Sequence, residues 1–255
     1  MKERRSFVVR YKAIIAYDGT NFSGFQIQHH QRTVEEELNK TLTKINRSQP
    51  VQVFASGRTD AGVHALGQVI HFDLGDRRDL EKLRFALDSQ SPSDIACLQV
   101  EEVASDFHAR YHVTGKTYEF RVDIAKARSP FKRHYASFFP YSIDLAPMKE
   151  ALAYLIGTHD FTAFCATGSS VENKVRTLKK ADVILKEAEE ELVFTFTGDG
   201  FLYNMVRIMV GTLLKVGNGR MPASQVKEML ESKQRSLGGP TAHPEGLYLK
   251  KVYYD

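Results

Sequence analysis

Apolar positions along this chain switch repeatedly between a period of two and a period near 3.6, and the switches mark out its elements. Residues Phe7 to Tyr17 alternate as a strand, and Val34, Leu38, Leu42 and Ile45 then fall on one face of a helix running from Val34 to Ile45. Thr33 followed three residues later by Glu36 has the form of a capping box at the start of that helix. Strands are predicted at Val51 to Ser56 and Gln68 to Leu74, a helix at Leu80 to Leu87, and a strand near Ile95 to Val103. In the strand at 68–74, Ile70, Phe72 and Leu74 alternate with Val69, His71 and Asp73, which predicts one better-buried face.

The second half repeats the order without repeating the residues. A strand at Thr117 to Ile124 leads to a helix at Leu145 to Ile156 behind Asp144. A hairpin follows, from Leu178 to Lys186 and back through Leu192 to Thr197. A long apolar helix from Phe201 to Val216, a shorter one near Gln225 to Ser232 and a closing strand at Leu247 to Tyr253 complete it. Two successive βαββαβ runs predict an α+β protein of two ferredoxin-like halves, 1–105 and 106–255. Their antiparallel sheets would lie side by side, with helices on one face and a cleft between the halves.

Composition narrows the function classes. No apolar run approaches the ~20 residues of a membrane span. Met1 to Arg10 is charged and lacks an apolar signal core, so the expected address is the cytoplasm. Cys97 and Cys165 stand far apart with no CxxC, and His64 and His71 are spaced for a strand, which argues against a zinc site. No phosphate-binding GxxxxGK[ST] loop or dinucleotide fingerprint occurs, so no cofactor is expected. The net charge of +4 decides little, and its distribution is more informative. Arg4, Arg5, Arg10, Arg77, Arg78, Arg110, Lys126, Arg128, Lys132 and Arg133 cluster, several beside Tyr or Phe, a composition suited to phosphate contacts with aromatic stacking. A solvated basic surface would have the same composition.

The densest chemistry lies in residues 55–67, Ala-Ser-Gly-Arg-Thr-Asp-Ala-Gly-Val-His-Ala-Leu-Gly, between two strand-like runs. A connection that only turned the chain would not need Arg58, Asp60 and His64 together. A carboxylate beside a guanidinium stays ionised at neutral pH, so Asp60 is available as nucleophile or base. In the apolar segment 201–214, Asn204, Arg207 and Gly211 fall at i, i+3 and i+7, a polar and sterically open stripe expected to line the cleft. A guanidinium in such surroundings needs a carboxylate; Asp60 is the expected partner, a structural ion pair with another acid the alternative. Alternation in Lys116-Thr-Tyr-Glu-Phe puts Tyr118 and Phe120 on one strand face, where Tyr118 is either a core residue or a flat platform for an unstacked base. The loop from Gly239 to Gly246, with two prolines, reads as punctuation before the last strand.

Taken together, Gly57-Arg-Thr-Asp-Ala-Gly-Val-His-Ala, Phe107-His-Ala-Arg, Lys116-Thr-Tyr-Glu-Phe, Gly157-Thr-His-Asp-Phe and Phe201-Leu-Tyr-Asn-Met-Val-Arg resemble the tRNA pseudouridine synthase A family. The likeness runs in order from Tyr17-Asp-Gly-Thr to Glu245-Gly-Leu-Tyr-Leu. It implies a cofactor-free and metal-free isomerase that converts uridine to pseudouridine at positions 38–40 of the tRNA anticodon stem-loop. On this likeness Asp60 is the nucleophile, Tyr118 the ring stacking on the target base and Arg207 the partner of the aspartate. Arg58 helps displace and hold the flipped nucleotide, and Leu247 packs in the uracil pocket. The likeness also implies a homodimer whose two protomers can contact one tRNA. The chain departs from the family pattern at Phe25, where tryptophan is usual, at 89–95, and at Val171-Glu-Asn-Lys-Val-Arg-Thr. These changes lie outside the Asp60, Tyr118 and Arg207 set, so they bear on RNA affinity or site preference. Two other readings fit parts of the pattern: a non-catalytic RNA-binding module, and a metal-dependent phosphoesterase built on Asp60, His71 and Asp73.

Overall fold

A computed structural model describes residues 8–169 and 171–255. In chain order it contains β1 (Val9–Tyr17), α1 (Val34–Ile45), β2 (Phe54–Ala55), β3 (His64–Leu74), α2 (Leu80–Gln90), β4 (Ile95–Val103) and β5 (Val113–Asp123). Then follow β6 (Ser137–Phe138), α3 (Leu145–Leu155), β7 (Gly157–Asp160), β8 (Val175–Lys186), β9 (Glu191–Gly198), α4 (Met205–Gly217), α5 (Ser224–Ser232) and β10 (Leu247–Tyr254). The protein is α+β, with mostly antiparallel strands. It divides into two compact units. One takes the described residues up to Thr114 together with Leu249–Asp255; the other is Gly115–Tyr248.

In the first unit the hydrogen-bonded order is β4-β1-β3-β10, and β2 pairs with β3. Val9, Tyr11, Ala13, Ile15 and Tyr17 of β1 are buried at every second position, as a period of two requires. They share a core with Leu38 and Leu42 of α1 and Ile70, Phe72 and Leu74 of β3. Each such large side chain contributes about 1.5–3 kcal/mol on burial. Two expectations are corrected here. The strand expected at 68–74 begins at His64 and is buried on both faces, because it lies between β1 and β10 and rings cover its second side. The capping box does not form: Thr33 has the extended backbone of an N-cap, but its side chain makes no cap hydrogen bond. Instead the Val34 and Glu35 amides donate to the Gly24 and Phe25 carbonyls at 3.3 and 2.9 Å, while Glu36 pairs with Lys40 at 2.8 Å. A neighbouring strip of backbone has replaced the side-chain cap.

In the second unit the order is β5-β9-β8-β7, with β6 parallel to β5. Phe120, Phe161, Phe164, Phe194 and Phe196 are fully buried, alongside Ile208, Met209 and Leu213 of α4. α3 packs against α4 and α5, and Asp144 caps α3 by accepting from the Ala146 amide at 2.9 Å. The element order is more elaborate than βαββαβ, since β6 and β7 intervene. Both are too short to leave a periodic signal in the sequence. The long apolar helix starts at Met205 rather than Phe201. Asn204 sits in the left-handed region at φ +58°, a conformation asparagine tolerates, and makes a turn of residues 201–204.

Candidate active site

Asp60 lies in the connection between β2 and β3, and the physics of its placement is local. The Val63 amide donates to the Asp60 carbonyl at 3.1 Å, closing a turn in which Gly62 takes φ +76°. Residues 18–25 pack directly against this turn. The Phe25 amide donates to the Thr59 carbonyl at 3.0 Å, and the Gly62 amide to the Phe22 carbonyl at 3.3 Å. Glycine is required for the approach: a Cβ at Gly19 would lie 2.1 Å from the Val63 carbonyl oxygen, and one at Gly24 2.8 Å from that of Thr59. Asp60 is half-buried and Arg58 exposed on the same loop. His64, the third member of the charged cluster, is buried with its ring turned inward. Its Nδ1 accepts from the Gly19 amide at 3.0 Å and lies 3.2 Å from Asp18 Oδ1, so it belongs to the scaffold of the loop.

Beneath the loop sits a polar layer that sequence reasoning missed. Tyr17 and Thr59 share a hydroxyl–hydroxyl hydrogen bond of 2.8 Å, and burial pushes the Tyr17 phenol up to about 12. Ser56 donates to Gln68 Oε1 at 2.6 Å, and Gln68 Nε2 donates to the Gly57 carbonyl at 2.9 Å. The available signal was a glutamine at position 68 on the same strand face as Ile70, Phe72 and Leu74. Phe25 also proves closer to the site than expected: it is buried, holds Thr59 through its amide, and its ring centroid lies 6.2 Å from that of Tyr17.

In the second unit Tyr118 of β5 is buried and meets Phe201 edge-on, with centroids 4.9 Å apart and planes at 74°. Thr117 and Glu119 on the other face are buried too. Thr117 shares a hydroxyl hydrogen bond of 2.8 Å with Thr197, and Glu119 pairs with Arg121 at 2.9 Å. Arg207 of α4 is half-buried; it donates through Nε to the Ala242 carbonyl at 2.7 Å and through a terminal nitrogen to Asn204 Oδ1 at 2.6 Å. The stripe that includes Gly211 is therefore not open. The 239–246 segment crosses it as a strap: the Ala242 amide donates back to the Arg207 carbonyl at 3.0 Å, and the Gly239 amide donates to Thr212 Oγ1 at 3.0 Å. A Cβ at Gly211 would lie 1.8 Å from the Pro240 carbonyl oxygen. The same strap delivers Leu247, buried, into the start of β10. A loop that read as punctuation thus links Arg207 to Leu247.

Charge is spent differently from the simple basic-cluster picture. Arg10 forms a two-pronged pair with Asp73, both contacts 2.8 Å; Arg77 pairs with Glu102, Arg78 with Asp76, and Lys132 with Asp123 and Glu191. Arg4 and Arg5 lie outside the described residues. The phosphoesterase reading loses two of its three ligands, since Asp73 is committed to Arg10 and His71 Nδ1 accepts from the Ala109 amide at 3.1 Å. Among the described residues no cluster of three His, Cys, Asp or Glu side chains could hold a metal ion. No helix among them is long and apolar enough to cross a membrane.

A family model described as tRNA pseudouridine synthase matches residues 13–112 and 151–255, a span containing the Asp60 loop, α4 and the strap. The chain belongs to the tRNA pseudouridine synthase family. Enzymes of this family are isomerases acting on tRNA. A protein of Streptococcus mutans named tRNA pseudouridine synthase A is 61% identical over 248 residues, covering 97% of this chain and 100% of the relative. Relatives of the same name in Streptococcus suis and Streptococcus gordonii are 59% and 57% identical over the same shares. A chain of the crystal structure of a Cbf5-Nop10-Gar1 complex aligns with 80% of this chain and 54% of its own at 11% identity. Its TM-score of 0.32 carries no argument.

Proposed function

We propose that this protein converts uridine to pseudouridine at positions 38–40 of the tRNA anticodon stem-loop, with Asp60 as the nucleophile acting on a flipped-out base. The observation that carries the reading is the Asp60 loop itself: a half-buried carboxylate on a turn fixed by backbone hydrogen bonds and by two glycines that no larger residue could replace. Isomerisation breaks the bond from C1′ to N1, turns the uracil and joins C1′ to C5, while the C5 hydrogen leaves to solvent as a proton. Attack of a carboxylate on the sugar, addition to the ring, and passage through a glycal all demand a carboxylate held at fixed reach. A uracil in a stem must first leave the stack, which gives a role to a ring such as Tyr118.

In this reading Arg207 keeps the Asp60 carboxylate ionised, Arg58 holds the displaced nucleotide and Leu247 packs against the uracil. Residues 1–105 supply the nucleophile, and 106–255 the stacking ring and the arginine. Each half is a variant of the ferredoxin-like plan; in the first, the order β4-β1-β3 with β2 also on β3 supports this. The enzyme works in the cytoplasm as a homodimer, without metal or cofactor. The test is to map pseudouridine in an unmodified tRNA transcript after treatment with the purified protein. Modification confined to the anticodon stem-loop is the expected result. Tight tRNA binding with no pseudouridine formed would favour a non-catalytic RNA-binding module.

A further inference from the structure

The most unusual side chain near Asp60 is one that cannot touch a substrate. Gln68 is fully buried in β3, opposite Ile15 of β1, at a position where the surrounding alternation would accept a leucine. A buried amide is costly unless its hydrogen bonds are made. Here they are made to the stretch leading into Asp60. Oε1 accepts from Ser56 Oγ at 2.6 Å and Nε2 donates to the Gly57 carbonyl at 2.9 Å. On the neighbouring strand β1, the Tyr17 hydroxyl holds Thr59 at 2.8 Å. Two strands, β1 and β3, thus grip Ser56, Gly57 and Thr59, and the next residue is Asp60.

We propose that Gln68 is a positioning residue for the reaction: with Tyr17 it fixes the 56–59 backbone, so that the Asp60 carboxylate stands at bonding reach of the nucleoside. The inference rests on the nucleophile reading of Asp60. A grip of this kind acts on turnover and not on tRNA binding, because the side chains that make it are buried. Ser56, Gln68 and Tyr17 are all buried.

The test measures tritium release from tRNA labelled at uridine C5, together with tRNA affinity, for Gln68→Leu, Tyr17→Phe, their combination and Asp60→Asn. Gln68→Leu keeps the volume and removes the hydrogen bonds; kcat should fall about 100-fold, the loss expected of a small misplacement, with KM and Kd within about threefold of wild type. Tyr17→Phe should lower kcat about tenfold, and the double variant should be no slower than Gln68→Leu by more than about twofold, since both deletions release one loop. Wild-type kcat in Gln68→Leu, or losses that multiply in the double variant, would overturn the proposal. Should Gln68→Leu fail to fold, Tyr17→Phe decides, and full kcat there overturns it. An inactive Asp60→Asn beside a fully active Gln68→Leu removes only the positioning role, whereas an active Asp60→Asn removes the nucleophile reading and this inference with it.

Discussion

The loop that carries Asp60 and the strap that crosses Arg207 both lie on glycine-opened backbone, but the loop is braced by buried side chains from two strands as well. Each is an irregular segment that must hold one polar side chain still. In the loop, the backbone of residues 18–25 is joined by side chains from the strands below: Gln68 and Tyr17 satisfy Ser56, Gly57 and Thr59. In the strap, backbone lies on helix backbone, with Gly211 under the Pro240 carbonyl, Gly239 against the Gly211 carbonyl and the Arg207 guanidinium closing on Ala242. A loop braced by side chains can be loosened one hydrogen bond at a time. A strap seated on glycine fails when any Cβ is added beneath it.

The contrast can be broken most forcefully at Arg207, which holds the strap and, in the proposed mechanism, keeps the nucleophile ionised. Arg207→Leu strips the Ala242 carbonyl of its charged donor and should lower tritium release about 100-fold or more, with a drop in Tm of a few degrees. Loss of stability with full turnover would confine Arg207 to the strap.

Next in size is the floor of the first unit. Burial, aided by the positive charges of His108 and Arg10, lowers the His71 imidazole from 6.5 to about 4. Between those values the unfolded chain binds a proton that the folded chain does not, so stability falls as pH drops from 6.5 towards 4, by about 2–3 kcal/mol in all. Urea midpoints between pH 7 and 4.5 should fall more steeply for wild type than for His71→Gln.

Gly211→Ala and Gly19→Ala compare the two supports directly. Their added methyls would meet backbone oxygens at 1.8 and 2.1 Å, and each should cost about 1–3 kcal/mol, read as Tm. The strap variant should keep the geometry of the Asp60 loop, so its kcat at low temperature should fall less than that of Gly19→Ala.

The smallest effect lies away from both regions. The Lys233 ammonium at 2.8 Å, and then Thr162, hold the Asp160 carboxyl down at about 2. That stabilisation is full above pH 3.8 and disappears as pH falls through 2. Because Lys233 is more than half exposed, Lys233→Met should cost only about 1 kcal/mol at pH 7, an effect that shrinks as pH falls through 2 and vanishes below it.

Sequence periodicity was enough for the longer elements, and dense polar chemistry for the charged loop, but β6 and β7 left no signal and the strand expected at 51–56 is only Phe54–Ala55. The bounds of α1 followed from Val34, Leu38 and Leu42, and the hairpin of β8 and β9 from its charged tip. It failed where support comes from far along the chain. Tyr17 and Thr59 are 42 positions apart, and Arg207 and Ala242 35 apart, so no local pattern links them. Thr33 matched a capping box because the motif is local, but its helix start had already been satisfied by the backbone of residues 24 and 25. Gln68 and the strap prolines were visible as residues, while their use depended on what folds against them.

The central claim is that the Asp60 carboxylate does the chemistry and the surrounding scaffold merely holds it. Asp60→Asn changes one oxygen to an amide nitrogen at nearly constant volume. Measured on C5-tritiated tRNA alongside tRNA affinity, it should bind within about threefold of wild type and lose at least about 1,000-fold in tritium release. Release at the wild-type rate by a folded, tRNA-binding Asp60→Asn protein would contradict the account.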